Sequence, residues 1–160
     1  MDPQRPPGTT IGRYEIVASL ADGGMASVYL ARMMGPAGFR KLVALKCVHP
    51  HLVRQQGYVE RFYDEARIAS RIEHPHVCRL IDFGLADGVY FMALELLQGL
   101  TLVSFRQTEL ERRFALANTI IEGAARGLHA AHELRGSSQE LLGVVHRAVS
   151  PENIVVSFEG

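Results

Sequence analysis

The stretch Val145-His146-Arg147-Ala148-Val149-Ser150-Pro151-Glu152-Asn153 lies near the end of the chain and connects two different hydrophobic patterns. Before it, the region Arg112–Leu134 carries apolar residues at helical spacing. After it, the run Ile154–Ser157 has the β-branched composition of a strand. The sequence therefore predicts helix, loop and strand in this order at the end of the chain.

Further toward the N-terminus, short β-branched and aromatic runs alternate with turns that contain glycine, a pattern typical of antiparallel strands. Apolar residues at spacings of three and four predict a helix between the third and fourth runs, ending near His74-Pro75. Three strands, a helix, two strands and then mostly helix predict an α+β protein with a five-stranded antiparallel sheet. The strand candidates are Ile11–Leu20, Val28–Ala31, Lys41–Val48, Val77–Phe83 and Val89–Leu97, and a short helix is expected over Leu102–Gln107.

The composition excludes several classes of protein. The 160 residues are 48% hydrophobic and 21% charged, and 17 Lys and Arg balance 17 Asp and Glu. A net charge of zero gives no support for nucleic-acid binding or for a charged membrane-surface site. The apolar helix pattern is interrupted by polar and charged residues, which argues against a membrane span. Two cysteines outside any C-x-x-C pair predict reduced, buried thiols and a cytoplasmic protein.

The stretch 145–153 resembles the catalytic loop of protein kinases, which reads H-R-D-x-x-x-x-N. His146, Arg147 and Asn153 stand where that motif requires them. Ala148 occupies the position of the aspartate, which in the family accepts the proton of the substrate hydroxyl. The resemblance implies that Asn153 is a metal ligand and that the position of Ala148 has lost its catalytic group.

A second stretch, Leu20–Tyr29, is similar to the glycine-rich loop of the same family, whose backbone approaches the phosphates of ATP. Ala21 and Ala26 replace the first and third glycines, so the resemblance implies a loop that binds nucleotide less tightly. Taken alone, the stretch favours a plain hairpin turn. The implied cofactor contacts here are Leu20, Ala21, Asp22, Gly23, Gly24 and Val28.

A third stretch, Val43-Ala44-Leu45-Lys46, resembles the family's V-A-I-K strand, whose lysine holds phosphates and pairs with a helix glutamate. The resemblance predicts an ion pair between Lys46 and Glu65, with Asp64 as the competing, solvent-facing carboxylate. Without it, a lysine at the end of an apolar strand would be a solvated charge.

A fourth stretch, Phe91–Gly99, is similar to the family's fifth strand and hinge. The resemblance implies that Leu94 lies behind the adenine and that the Glu95 carbonyl and the Leu97 N–H face its edge. Val28 and Ala44 would cover the ring, and Val155 is a further implied cofactor contact. A buried strand without a ligand is the alternative for this stretch.

The tripeptide Asp82-Phe83-Gly84 spells the family's metal-binding motif, but it precedes the catalytic loop instead of following it. We therefore predict no metal role for Asp82.

The matching motifs occur in order across the chain, which is identified as a member of the protein kinase family, nearest to the bacterial, eukaryotic-like serine/threonine kinases. The implied organisation is a disordered lead-in (1–10), a small lobe (11–97), and the hinge exit with the beginning of the large lobe (98–160). The implied cofactor is ATP with Mg²⁺, and the implied partner is a protein substrate.

The residues leave three interpretations open: an interrupted or truncated kinase, a pseudokinase that serves as a binding module, and a kinase deliberately shortened and altered at Ala148. No D-F-G or A-P-E follows Asn153 before Gly160, so we expect no meaningful phosphate transfer from this chain. An exposed apolar face on the long helix would favour self-association.

Overall fold

The computed structural model describes residues 5–105 and 110–158, without the side chains of residue 105 and of residues 110–115. The chain divides into two compact units, Met1–Ser70 with Arg79–Leu96 and Arg71–Cys78 with Leu97–Gly160. Each unit is described separately below.

In the described residues, the first unit contains six strands, two α-helices and a 3-10 turn at Pro36–Gly38. The strands and α-helices are β1 (Thr10–Ile11), β2 (Tyr14–Asp22), β3 (Ala26–Met34), β4 (Arg40–Val48), α1 (Pro50–Val53), α2 (Tyr58–Ala69), β5 (Leu80–Ala86) and β6 (Val89–Glu95). The strands form one sheet in the order β1-β2-β3-β4-β6-β5, with antiparallel neighbours throughout. The predicted antiparallel sheet with one main helix is confirmed, and β1 adds a short sixth strand.

The two faces of this sheet carry two different clusters, because successive residues of a strand point to opposite sides. On β4, Val43 and Leu45 are fully buried in the larger cluster with Tyr14 and Phe91. Val48 of the same strand belongs to the other cluster, in which α2 packs on the sheet through Phe62 and Ala66. The core therefore lies on one face of the sheet, and the helix covers the other.

A polar cluster around Asp82 joins β2 to the outer strand β5. The Tyr14 hydroxyl donates to Asp82 Oδ2 at 2.6 Å, Arg13 Nη2 lies 2.8 Å from the same oxygen, and the Phe83 N–H donates to Oδ1. Nearby, the Gly12 N–H donates to the Asp87 carboxylate at 2.7 Å. These contacts connect β2 with β5, although the two strands lie far apart in the order of the sheet.

The Tyr14 hydroxyl makes the free energy of unfolding depend on pH in the alkaline range. Burial, together with the hydrogen bond to Asp82, raises the pKa of Tyr14 to about 12 from its ordinary value of 10.0. The neutral hydroxyl therefore contributes stability that is complete below pH 10 and is lost as the pH rises through 12. We expect the free energy of unfolding, measured in urea, to fall across this interval. In Tyr14→Phe that fall should be smaller, and an unchanged pH slope would contradict the assignment.

The second unit contains the end of the chain and the segment 71–78. Its elements are β7 (Gly99–Thr101), α3 (Leu102–Phe105), α4 (Leu110–His132), a 3-10 turn (Pro151–Asn153) and β8 (Val155–Ser157). Strands β7 and β8 pair antiparallel, with Gly99 opposite Ser157 and Thr101 opposite Val155. This pairing brings residues 99–101 next to residues 155–157. The stretch 145–153 lies just before β8.

Helix α4 approaches the segment 71–78 through two glycines. A Cβ on Gly127 would lie 2.7 Å from the carbonyl oxygen of His76, and one on Gly123 would lie 3.3 Å from the His76 ring. Both glycines are buried. The close approach of this backbone to α4 therefore requires the absence of side chains.

Several boundaries differ from the sequence predictions. The Gly8 N–H donates to the Ile16 carbonyl and Thr10 lies in β1, so residues 8–10 of the lead-in contact the sheet, while residues 1–4 lie outside the described part. Helix α2 ends at Ala69 and leaves out Ile72, and β5 begins only at Leu80, because the residues between them belong to the second unit. Of the two cysteines, Cys47 is buried as expected, but Cys78 is exposed.

The two helices predicted after the sheet are both present in the second unit. The long helix is confirmed over Leu110–His132, and among its described side chains Ile121 is 65% exposed. Leu116 is 40% exposed, whereas Phe114, placed on the apolar face by its spacing, lies outside the described side chains. The predicted short helix is confirmed over 102–105, and residues 106 and 107 lie outside the described part.

Candidate functional site

Five of the predicted cofactor residues share one face of the first unit's sheet. The register pairs Val28 with Lys46 and Ala44 with Leu94 across neighbouring strands. Residues that are directly opposite on paired strands point to the same side, and Ala44 and Lys46 are two positions apart on β4. Ala21, opposite Val28, belongs to the same side. An aliphatic surface beside one lysine is the arrangement that a nucleotide base and its phosphates need.

Lys46 is half-buried on this face, the same face that α2 covers. The predicted ion pair with Glu65 is absent, because Glu65 is exposed and neither side chain forms an ion pair in the part of the chain described here. The reason is the rotation of α2: turning Phe62 and Ala66 onto the sheet directs Glu65 toward solvent. Asp64 is solvent-facing as expected and lies 3.2 Å from Arg67.

The glycine-containing turn connects β2 to β3 between Asp22 and Ala26. A Cβ on Gly24 would meet nothing within 4 Å, and one on Gly23 would meet only the Ala26 carbonyl oxygen at 3.5 Å. The turn is therefore open on its outer side, as a phosphate-binding backbone must be. Leu20 beside it is 51% exposed.

Asp22 has a different environment from the one expected. Its carboxylate accepts a hydrogen bond of 2.6 Å from the Ser27 hydroxyl, which also lies 3.0 Å from His49 Nε2. Ser27 is registered opposite Cys47, a residue of the core cluster, so this contact is on the face opposite to Lys46. The sequence did not predict a role for Ser27 or His49, because neither residue stands at a fixed position of a family motif. Their only signal is their position beside the glycine-containing turn and directly after β4.

The hinge residues fall at the boundary of the two units. Glu95 ends β6, where its N–H donates to the Arg79 carbonyl and its carboxylate accepts from the Arg79 N–H at 2.6 Å. Leu97 belongs to the second unit and is 41% exposed. The roles predicted for the Glu95 carbonyl and the Leu97 N–H therefore remain predictions.

In the second unit, the stretch 145–153 forms an ordered loop around Ala148. The Ala148 N–H donates to His146 Nδ1 at 3.3 Å, and its carbonyl accepts from Asn153 Nδ2 at 2.9 Å. Arg147 adopts a positive φ of 60°, a left-handed conformation that costs energy for a residue with a side chain. Two side-chain hydrogen bonds thus hold the backbone of the residue whose own side chain lacks a functional group.

The surroundings of this loop are exposed. His146, Arg147 and Ala148 are all solvent-accessible, in contrast to the packed histidine that the family resemblance implies. A hydrogen bond from the Ser150 hydroxyl lowers the pKa of the exposed Glu152 carboxyl. Ala148 can neither accept a proton nor orient a hydroxyl group, so the arrangement supplies no general base at this position.

Asn153 can contribute one oxygen to a metal ion. Because its Nδ2 donates to the Ala148 carbonyl, its Oδ1 is the atom left to coordinate. Val155, two residues further on, is 38% exposed in β8. Among the described residues, no group of three or more His, Cys, Asp or Glu side chains is arranged to hold a metal ion. The donor set thus fits a metal ion that arrives with phosphate oxygens, as Mg²⁺ does with ATP.

Asp82 makes no metal site with its neighbours. Its two carboxylate oxygens are engaged by Tyr14, Arg13 and the Phe83 N–H. The tripeptide lies within β5, and the expected absence of a metal role for Asp82 stays a prediction.

Comparison with known proteins identifies the class to which this fold belongs. The protein kinase domain family matches residues 14–160. The chain is therefore a member of the protein kinase family, and the predicted α+β kinase-like fold is confirmed. Within the described residues, no helix combines the length and the apolar character that a membrane crossing requires.

Individual relatives are bacterial kinases. The chain is 37% identical over 153 residues to the tyrosine-protein kinase MasK of Myxococcus xanthus, covering 93% of this chain and 24% of that protein. It is 29% identical to the serine/threonine-protein kinase PrkC of Bacillus subtilis, over 93% of this chain and 21% of that protein. The crystal structure of the PknI kinase domain of Mycobacterium tuberculosis superposes with a TM-score of 0.73 at 28% identity, covering 97% of this chain and 59% of that domain. The chain thus spans about a quarter of the curated relatives' length.

Proposed function

We propose that the chain is a serine/threonine-kinase-type domain that binds ATP with Mg²⁺ and is severely impaired in phosphate transfer. The observation that carries this proposal is Ala148, held at its N–H by His146 and at its carbonyl by Asn153 in an otherwise formed catalytic loop. The serine/threonine assignment follows most of the relatives, while MasK is named a tyrosine kinase.

Nucleotide binding is supported by residues of the first unit. In the first unit, Val28, Ala44 and Leu94 offer an aliphatic surface, and Lys46 on the same face supplies the positive charge for phosphates. In the second unit, Asn153 Oδ1 is the candidate metal ligand that the family resemblance implies. When bound, Mg-ATP supplies the phosphoryl group and the metal charge, and the protein contributes position and electrostatics.

Two features of the chain oppose transfer. The kinase reaction needs a carboxylate that accepts the proton of the attacking hydroxyl, and Ala148 has none. It also needs the lysine and the helix glutamate to be paired, whereas Glu65 is exposed and unpaired with Lys46. Bound nucleotide would therefore persist, which is the behaviour of a pseudokinase that serves as a nucleotide-binding or protein-interaction module. As part of the same proposal, the module binds partner proteins and is located in the cytoplasm.

Mg-ATP binding, measured by titration calorimetry, tests this proposal. We expect Lys46→Met to weaken binding about tenfold, since a charge-assisted contact with phosphate is lost. Lys41→Met is the matched control, because Lys41 is an exposed residue of the same strand, and its affinity should equal that of the parent chain. Equal effects of the two substitutions, or the absence of heat at millimolar nucleotide, would refute the proposed site.

Self-association is a separate expectation, based on the exposed side chains of Ile121 and Leu116 on α4. Light scattering should detect oligomers in the parent chain and fewer of them in Ile121→Lys. A monomeric parent chain at high concentration would contradict it.

A further inference from the structure

The strongest unassigned feature of the chain is a buried polar cluster under the glycine-containing turn. Apart from tyrosines, Ser27 and His49 are the buried polar residues of the described chain, at 6% and 8% exposure. They contact each other at 3.0 Å, and Ser27 contacts the half-exposed carboxylate of Asp22 at 2.6 Å. Polar groups are buried at a cost unless they are bonded, so such a cluster indicates a constraint on the backbone around it.

The direction of the hydrogen bonds follows from the available protons. A carboxylate oxygen only accepts, so the single Ser27 proton is donated to Asp22. The Ser27 oxygen must then accept from His49, which places a proton on Nε2. This order differs from a nucleophilic triad, in which the imidazole takes the serine proton and the carboxylate binds the other ring nitrogen. The cluster therefore stabilises the backbone conformation and is not a hydrolytic centre.

His49 holds the turn at two places. Its side chain reaches Ser27 at the start of β3, and its N–H donates to the Met25 carbonyl at 3.2 Å. The turn has little other support: the Gly23 N–H donates to the Ala26 carbonyl, Met25 is 66% exposed, and Gly24 faces open space. The contacts with His49 are therefore the main interactions that order this turn.

We propose that His49 is a positioning residue of the nucleotide site: through Ser27 and Asp22 it holds the glycine-containing turn in the conformation that receives phosphates. This inference rests on the proposed nucleotide binding. A turn that is already ordered loses less conformational entropy when a ligand binds, and its affinity is higher for that reason. Ala21 and Ala26 replace two glycines of the loop, so its backbone approaches the phosphates less freely. The contacts with His49 would offset the resulting loss of nucleotide affinity by ordering the turn.

The test compares three variants of the full chain. His49→Leu removes the Nε2 donor, while His49→Gln keeps an N–H donor at the end of a side chain of similar length. His51→Leu is the matched control, since His51 is an exposed histidine on α1 whose ring lies 5.6 Å from that of His49. Thermal denaturation of each variant establishes that it is folded.

Two readouts separate this inference from the proposed function. The first needs no nucleotide: amide hydrogen exchange at Gly23 should become about fivefold faster in His49→Leu and stay near the parent rate in His49→Gln and His51→Leu. The Met34 N–H, bonded to the Arg13 carbonyl at 2.8 Å, should be unaffected in all three. The second readout is the Mg-ATP dissociation constant, which should rise about fivefold in His49→Leu only.

Each result decides something. Unchanged exchange at Gly23 in His49→Leu, or equal acceleration in His49→Gln, overturns the role of His49. Faster exchange at Gly23 with an unchanged dissociation constant overturns its contribution to the nucleotide site. If the parent chain binds no Mg-ATP, the proposed function fails, and with it the link between the turn and the nucleotide, while the exchange data still establish whether His49 orders the turn.

Discussion

Replacing Ala148 with aspartate should raise phosphate transfer by about a hundredfold or more, the usual contribution of a positioned general base. The structure gives the reason why an aspartate fits at this position. The Ala148 backbone is already bonded to His146 and Asn153, and its side chain is exposed, so a carboxylate enters without displacing neighbours.

The measurement grafts residues 14–156 of this chain into an active bacterial serine/threonine kinase in place of the matching segment, so that the remaining kinase domain is present. Transfer of labelled phosphate to a protein acceptor is then compared between the graft with Ala148 and the graft with Ala148→Asp. The graft with both Ala148→Asp and Lys46→Met is the control and should be inactive. Equal rates with and without the aspartate would mean that Ala148 is not the cause of the impairment.

The second large effect is expected at Gly99, on stability. A Cβ at this position would overlap the Val156 carbonyl oxygen and lie 2.9 Å from Val155 Cγ1. Gly99→Ala must therefore separate β7 from β8, at a cost of about 3 kcal/mol of unfolding free energy. Because β8 directly follows the loop that contains Asn153, the catalytic loop should lose order as well.

Urea denaturation measures the stability of Gly99→Ala, with Gly24→Ala as the control. A Cβ on Gly24 meets nothing within 4 Å, so its free energy of unfolding should differ from that of the parent by less than about 1 kcal/mol. Similar losses in the two variants would show that the close approach of β7 and β8 does not limit stability.

Much of the fold could be predicted because local patterns and the family motifs agree. The strands β3, β4 and β6 carry alternating buried residues, such as Val43 and Leu45, and the register places Lys46, Ala44 and Leu94 on one face as the motifs imply. The long helix was also predictable from its periodicity. These elements depend on residues that are close in sequence or fixed by strand alternation.

The features that were not predicted depend on contacts across the sequence. Helix α2 buries Phe62 and Ala66, and this rotation, which places Glu65 in solvent, is set by packing and not by a motif. The contact between Tyr14 and Asp82 joins residues 68 positions apart. The hydrogen bond between Ser27 and His49 spans 22 positions and involves residues that no family motif marks. Sequence spacing carries no information about such contacts.

One experiment tests both whether the chain retains nucleotide and whether it transfers the γ-phosphate. The purified chain is incubated with γ-labelled Mg-ATP and a protein acceptor, and bound label and transferred label are measured in the same sample. We predict saturable binding, weaker in Lys46→Met, together with transferred label no higher than in that variant. Transfer by the parent chain above the Lys46→Met level, or the absence of binding at millimolar nucleotide, would contradict the proposed function.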